Sequence, residues 1–436
     1  MREERNNMVG RFSKLRLKER GSGSRFGLGR LSLTVAAVAC AAVSVAGIAS
    51  GTASASTKHL VTLTELDYYD TPPDSTALPK LLNVCAADAG ATIQRQSVPQ
   101  AELVPKLLQD VSAHRFPDLA LLDNPDVQQF AATGAIVPLT GSTKGLFPSI
   151  VSAGAYNGTT YGLAPGVNTI ALYYNKSDLK AAGLTPPTTW AQLKSDATAL
   201  TKGTTEGLAF SAPDEEEASW DFEPFLWSNG GELNKLSSSA AIGALSFYQS
   251  LVTDGSVSKS VVTWTQADAE AQFADGDAAM MVNGPWQLPL LDTSAVKGNF
   301  GIVTVPVPAA GDHPITPLGG EMWTVGRSGG ATEKAAQAVV ECMVSKKMSV
   351  KWSELDGYLS SNEAGAKAQV AKNPLLKAFG TEITTARART GPPAYLGKNY
   401  NTVSEALWTA VQAALSGSKT PSQALQTAQS SLPSGQ

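Results

Sequence analysis

Histidine is nearly absent from this chain of 436 residues: there are three, His59, His114 and His313, far apart in the sequence. They supply neither a histidine-based catalytic triad nor the local pairing of a histidine metal site. No glycine-rich phosphate loop and no Gly-x-Ser-x-Gly elbow occurs either, which removes the commonest nucleotide and hydrolase signatures. A two-carboxylate glycosidase needs none of these residues, so composition leaves that class open. Charged residues make up only 17 % of the chain against 43 % hydrophobic ones, so a sizeable core is available and disorder is not the default. No internal repeat is found, and the length suggests two domains.

The amino terminus differs from the rest. Residues 1–30 carry nine Lys/Arg against Glu3, Glu4 and Glu19, and Leu31 to Ala49 is uncharged and apolar or small. Ala53-Ser54-Ala55 then offers a small-x-small cleavage pattern, so residues 1–55 read as a secretory signal peptide, with Met8 an alternative start. A membrane anchor is the competing reading, but the run is alanine-rich and only weakly hydrophobic. Ala37-Val-Ala-Cys40 loosely resembles a lipobox, which would leave Cys40 lipidated, although the following residues stay apolar where lipoproteins usually turn polar. Without the leader, 25 basic and 35 acidic residues remain, a formal charge of −10. An acidic secreted chain with no basic patch is a poor partner for nucleic acid. Cys85 and Cys342 are then the remaining cysteines. Each sits in a helix-like apolar stretch, so two buried thiols are expected, with a disulfide as the alternative in an oxidising compartment.

What the mature chain does contain is alternation. Leu60 to Leu66 reads as a strand ending in a polar and aromatic run, Glu65 to Asp70. A helix from about Ser75 to Gly90, a strand at Ala91 to Gln96, a helix at Gln100 to Ala113 and the apolar run Leu119 to Leu122 follow. That order builds a parallel sheet, and its strand ends (Glu65 to Tyr69, Gln96 to Val98, Asp123 and Asn124) share the edge where open α/β sheets carry function. Further on, Thr169 to Tyr174 and Gly207 to Phe210 read as strands, and Trp190 to Leu200 and Ser238 to Asp254 as helices. Glu215-Glu216-Glu217 reads as a solvated loop rather than a metal site.

The most informative stretch is Phe273-Ala-Asp-Gly-Asp-Ala-Ala-Met-Met-Val-Asn-Gly-Pro-Trp-Gln287. It predicts the end of a helix, a turn, a buried strand at Ala278 to Val282, and then a stop at Asn283-Gly284-Pro285, with Gly284 allowing unusual φ. Trp286 is thereby placed just past the carboxyl end of a buried strand. This segment resembles the signature of extracellular solute-binding proteins of ABC importers, in the carbohydrate-binding, maltose-binding-protein-like group. Phe116-Pro-Asp to Thr140, Gly166-Val-Asn to Leu193, Thr316-Pro-Leu-Gly-Gly320 and the closing Pro392 to Leu432 are similar to further segments of that family, so the likeness spans the mature chain.

The resemblance implies a two-lobed α/β clamshell of the periplasmic-binding-protein type with three hinge crossings. The lobes would be 57–164 with 320–361, and 165–319 with 362–436. It implies a non-enzymatic receptor, secreted, at the cell surface or periplasmic, that captures a mono- or oligosaccharide between its lobes. The receptor would work as a monomer, without a cofactor, and pass its ligand to a membrane permease. A receptor for a non-sugar solute and a secreted carbohydrate-active enzyme using two carboxylates are the alternatives. Sugars offer apolar C–H faces that stack on aromatic rings and hydroxyls that need partners once buried. Carried over residue by residue, Trp286 is the foremost stacking candidate. Trp220 falls where the family has an aromatic, and Trp408 where maltose-binding protein stacks a tryptophan, with core packing its equal alternative. Glu65, Asp67, Asp123 and Asn124 at strand ends supply polar candidates. Asn168 stands at a crossing where the family can place a carboxylate, and this amide departs from a maltose-like pattern. Glu321, after Gly319-Gly320, is expected at the cleft floor. Trp227 and Trp323 are read as core, and Arg387 and Arg389 stay unassigned.

Overall fold

The computed structural model describes residues 60–392 and 395–433. The signal-peptide reading of residues 1–55 and the lipidation reading of Cys40 lie outside them. Among the described residues twelve strands occur in chain order: β1 Val61–Asp67, β2 Ala91–Ser97, β3 Leu119–Leu122, β4 Ala155–Tyr156, β5 Thr159–Thr160, β6 Gly162–Leu163, β7 Gly166–Val167, β8 Ala171–Asn175, β9 Met280–Asn283, β10 Phe300–Val303, β11 Met322–Val325 and β12 Leu359–Ser360. The first sheet has the order β2-β1-β3-β11-β6, with β1 parallel to β2 and β3, and β11 antiparallel to both β3 and β6. The second is β10-β8-β9, antiparallel throughout.

Three segments of chain pass between the two lobes side by side: two join the sheets, and the third leads from the first lobe to the carboxyl-terminal helices. β7 follows the first, β12 lies on the third, and these pair as Val167 with Leu359 and Gly166 with Ser360. The second segment joins them through a bridge between Asn168 and Gly319. The two-lobed arrangement with three crossings is therefore the observed one. Hydrophobic packing follows it. Phe210, Phe222, Phe225, Trp227 and Tyr248 centre the second lobe, and Leu63, Leu78, Trp323 and Trp352 centre one face of the first sheet. A third cluster runs under the crossings through Leu163, Val167, Ala171 and Tyr173.

Local signals set the element ends. Thr189 and Thr265 start helices Trp190–Leu200 and Gln266–Asp275 with capping boxes, their hydroxyls accepting from the backbone N–H of Gln192 and Asp268. Gly276, at φ +83°, closes the second of these in the left-handed region and turns the chain into the fully buried β9. Gly207 to Phe210 does not form a strand. It touches the second sheet only through isolated bridges of Glu206 to Ala278 and Ala209 to Met281.

The expectation of two free thiols is overturned: Cys85 and Cys342 form a disulfide, with Cα atoms 5.5 Å apart. Cys85 lies on helix Asp74–Asp88 and Cys342 on helix Gly330–Met343, which pack against each other on the first sheet. Nothing local in the sequence announces the pairing, because the cysteines are 257 residues apart. A cross-link over so long a loop removes much unfolded-state entropy. Replacing both cysteines with serine should cost about 2–5 kcal/mol of unfolding free energy, measured by denaturant titration beside the oxidised protein. A cost below about 1 kcal/mol would show that the bridge contributes little against that expectation.

Candidate functional site

The carboxyl ends of the first sheet open onto a cavity of about 400 Å³. Residues 68–74 follow β1, Pro99 to Ala101 follow β2, and Asp123 follows β3, all lining it. Glu321 comes out at the same edge because β11 runs antiparallel to β3 and Glu321 immediately precedes it. The opposite wall comes from the second lobe: Glu216, Glu217 and Trp220 on helix Glu216–Ser228, and Trp286 beyond β9. Asn168, Gly319, Tyr358 and Arg389, from the crossings and the carboxyl-terminal part, complete the lining.

At the floor, Glu321 accepts hydrogen bonds on one oxygen from the Tyr68 hydroxyl at 3.0 Å and the Tyr358 hydroxyl at 3.2 Å. Burial, followed by the charge of Asp123, pushes its carboxyl up to about 7. Across the cavity, Glu217 accepts from Ser211 Oγ at 2.9 Å and from the backbone N–H of Gln266 at 2.7 Å. Burial raises this carboxyl to about 7 as well, against the pull of those bonds. Between them lies Arg389, its side chain 1 % exposed, donating through one Nη to Asp123 and through the other to Glu216 at 2.8 Å. Glu216 also accepts from the hydroxyls of Tyr400 and Ser404. The run Glu215 to Glu217 is thus the start of a helix with two of its carboxyls engaged, not a solvated loop.

Both aromatic candidates rest on glycines. The Trp286 ring, half-buried, lies edge-on to Tyr358 at 5.9 Å and folds back over Gly284, where an added Cβ would come within 1.9 Å of it. Gly284 has φ −95°, so it is needed for close approach and not for unusual backbone, a correction to the expectation above. Trp220 carries the Arg389 guanidinium over its ring at 4.6 Å, and a Cβ at Gly319 would meet both Asn168 and Trp220. The Trp220 indole N–H has no partner.

Of the residues singled out in the sequence, Asp123, Asn168, Trp220, Trp286 and Glu321 come together here. Four do not. Glu65 and Asp67 face Arg95 and Ser97 in the parallel register of β1 and β2. Asp67 is consumed by Arg95 at 2.7 Å, Ser97 Oγ at 2.6 Å and the Tyr69 N–H at 2.8 Å, and Glu65 is buried beside it. Asn124 turns inward to donate to the Leu318 carbonyl at 2.8 Å. Trp408 lines an adjoining cavity of about 490 Å³ with Leu103 and Glu405, which shares Tyr68, Asp123 and Glu215 to Glu217 with the first. Trp227 and Trp323 are core, 2 % and 0 % exposed. Arg389, Tyr358, Glu216 and Glu217 are the lining residues that sequence reasoning missed. Their partners are distant in the chain, and only the Tyr68-Tyr69 pair after β1 carried a local aromatic signal.

The raised carboxyls predict how stability follows pH. Glu217 and Glu321 near 7, and Asp126, pushed to about 8 chiefly by burial, hold protons in the folded chain that the unfolded chain releases above about pH 4.5. Stability of the ligand-free protein should therefore fall as pH rises from about 5 to 8. Glu321→Gln should flatten that slope, read from unfolding free energies at each pH. An identical slope in the variant would mean Glu321 is ionised throughout.

The sequence profile of the family described as bacterial extracellular solute-binding protein matches residues 80–378. A putative binding protein of Brucella abortus (strain 2308) is 28 % identical over 319 residues, covering 69 % of this chain and 76 % of its own. The sn-glycerol-3-phosphate-binding periplasmic protein of Yersinia enterocolitica is 25 % identical over 286 residues, 60 % of this chain and 63 % of its own. Among solved structures, the GacH receptor of Streptomyces glaucescens, known unliganded and with acarbose, superposes with a TM-score of 0.75 at 25 % identity. That match covers 85 % of this chain and 97 % of the receptor. The strand-end cavity, the three crossings and these matches agree: the chain belongs to the bacterial extracellular solute-binding proteins.

Proposed function

We propose that this protein captures a polyhydroxylated solute, a mono- or oligosaccharide or a polyol, between its lobes. It then delivers the solute unchanged to the membrane permease of an ABC importer. The observation that carries this reading is the composition of the cavity. Trp286 and Trp220 supply ring surface, while Asp123, Asn168, Glu321 and the Tyr68 and Tyr358 hydroxyls supply polar groups. That pairing of stacking surface and hydrogen-bonding groups suits a sugar ring. Lobes of 57–164 with 320–361 and 165–319 with 362–436 would close about the crossings at Gly166 to Asn168, Gly319 and Leu359 to Ser360. Its place outside the membrane rests on residues 1–55 acting as the secretory leader read from the sequence, a lipid on Cys40 would tether it there, and it would work as a monomer. Two raised carboxyls facing one cavity also suit acid–base hydrolysis, so the test includes turnover. A thermal-shift and calorimetric screen over a sugar and polyol library should show ligand-dependent stabilisation with the ligand recovered intact. Accumulation of cleaved product would establish the enzyme reading instead.

Trp286→Ala removes stacking area from a half-buried ring. The aromatic contact contributes on the order of 1 kcal/mol beyond burial, and the lost area about one to two more. Affinity for the ligand found in that screen should fall roughly ten- to a hundredfold, with little change in the melting temperature of the free protein. Gly284→Ala should act in the same direction, because its methyl group displaces the ring. Unaltered affinity together with a large loss of stability would return Trp286 to the core.

A further inference from the structure

We propose that the captured solute carries a protonated amine, so that the site takes an amino sugar or aminopolyol in preference to its neutral or anionic counterparts. This rests on the sugar-binding reading above and narrows its ligand class. The argument begins with a charge imbalance. Seven carboxyl side chains line the cavity, from Asp70 and Asp74 on one side through Glu215 to Glu217, with Asp123 and Glu321. Arg389 is the single cation among the described lining residues, and both of its Nη groups are already spent on Asp123 and Glu216. Among the described residues, no ion pair engages Asp70, Asp74, Glu215, Glu217 or Glu321.

An anionic solute finds no free cation here and meets several like charges. A neutral solute leaves the imbalance standing, and the buried carboxyls answer it by holding protons. A ligand ammonium removes it, because three N–H donors on a compact positive charge replace those protons with charge-assisted hydrogen bonds. Glu321 and Glu217 are the foremost receivers. Glu321 is faced by Tyr68 and Tyr69 from the segment after β1, by Asp123 after β3, and by Asp356 and Tyr358 ahead of β12. Glu217 is faced by Glu215, Asp221 and Asp268. None of these neighbours carries a positive charge, and burial raises both groups to about 7.

The rest of the ligand is indicated by the other polar groups of the lining. Glu321, 9 % exposed, takes both of its hydrogen bonds on one oxygen, so among the described residues the other has no donor. Asn168 and the Tyr68 and Tyr358 hydroxyls line the same cavity and can pair with the hydroxyls of a bound solute. Hydroxyls and one ammonium on a ring that stacks against Trp286 describe an amino sugar.

The test compares matched sets on the mature chain by titration calorimetry: glucosamine, galactosamine and mannosamine, each with its neutral parent sugar and its N-acetyl derivative. The β-1,4 oligomers of glucosamine, glucose and N-acetylglucosamine are included to cover longer ligands. At least one free amine should bind about tenfold or more tightly than both of its counterparts, a difference of about 1.4 kcal/mol. Its binding should release protons, seen as a heat that varies with the ionisation enthalpy of the buffer. Its affinity should rise between about pH 5.5 and 7 as the carboxyls ionise, and level off above that as the amine begins to lose its own proton. Glu321→Gln and Glu217→Gln should each narrow the preference for the amine. A parent or N-acetyl sugar that binds as tightly as its amine would overturn the proposal and leave sugar capture standing. Binding of calcium alone at the same carboxyls, with displacement of no amine, would also overturn it. Absence of binding across every set would overturn the amine proposal, and the sugar and polyol screen above decides the wider reading separately.

Discussion

The buried guanidinium of Arg389 is the constraint on which the cavity depends. Taking that charge out of water is tolerated only where carboxylates meet it, and here they come from distant parts of the chain. Asp123 stands at the end of β3 in the first lobe, and Glu216 stands in the first turn of a helix of the second. The helix amino terminus favours a carboxylate at Glu216, so one partner is held by local electrostatics before the ion pair forms. Tyr400 and Ser404 then fix the same carboxylate from the penultimate described helix, Tyr400–Leu415. The guanidinium plane in turn covers one face of Trp220. A single cation thus orients an aromatic wall, a helix start and a strand end. Any opening of the lobes that separated Asp123 from Arg389 would have to bring water to both, because neither charge is tolerated buried and unpaired.

Close backbone approach is the second constraint, and it explains the glycines that flank the site. At Gly284 the missing side chain is space for the Trp286 ring, and at Gly319 it is space for Asn168 and Trp220. Gly320 adds a conformational demand, with φ +136° and the Gly166 carbonyl close by, where a side chain would be strained and crowded. The Gly-Gly pair therefore does two different things. The first glycine makes room in the cavity, and the second lets one crossing run against another so that Glu321 emerges at the floor.

How much of this could be read from the sequence depends on the range of the interaction. Strands with continuous apolar runs, such as Leu119–Leu122, and capped helices such as Trp190–Leu200 are local, and they fell close to expectation. Trp286 was legible because a buried strand followed by Gly-Pro fixes where the next side chain emerges. Glu65 and Asp67 misled because strand parity says only that they share a face. It does not say that Arg95 and Ser97 stand opposite on β2 and consume them. The disulfide and the partners of Arg389 depend on chain segments 257, 173 and 266 residues apart, for which no local pattern exists. Glu215 to Glu217 looked like a solvated run because three acids in sequence usually are one. Glu217 is instead held by Ser211 and Gln266, and Glu216 by Arg389, each fixed by tertiary packing.

The same distinction separates stability from function in this molecule. Carboxyls held near or above neutrality by burial, Glu321 and Glu217 among them, raise the free energy of the empty protein whenever they ionise. A fold selected only for stability would replace them with amides, which need no proton to stay neutral. Glu321 and Glu217 line the cavity, whereas Asp221 and Glu382, raised in the same way, are buried away from it, so the first two are the ones whose charge a ligand can reach. Interactions that are unsatisfied before binding and satisfied after it contribute their full difference to affinity, whereas those complete in both states contribute nothing. On that argument a solute bound in the cavity would draw its binding free energy from the acidic floor, and the paired Asp123–Arg389–Glu216 bridge would be the frame that holds that floor in place.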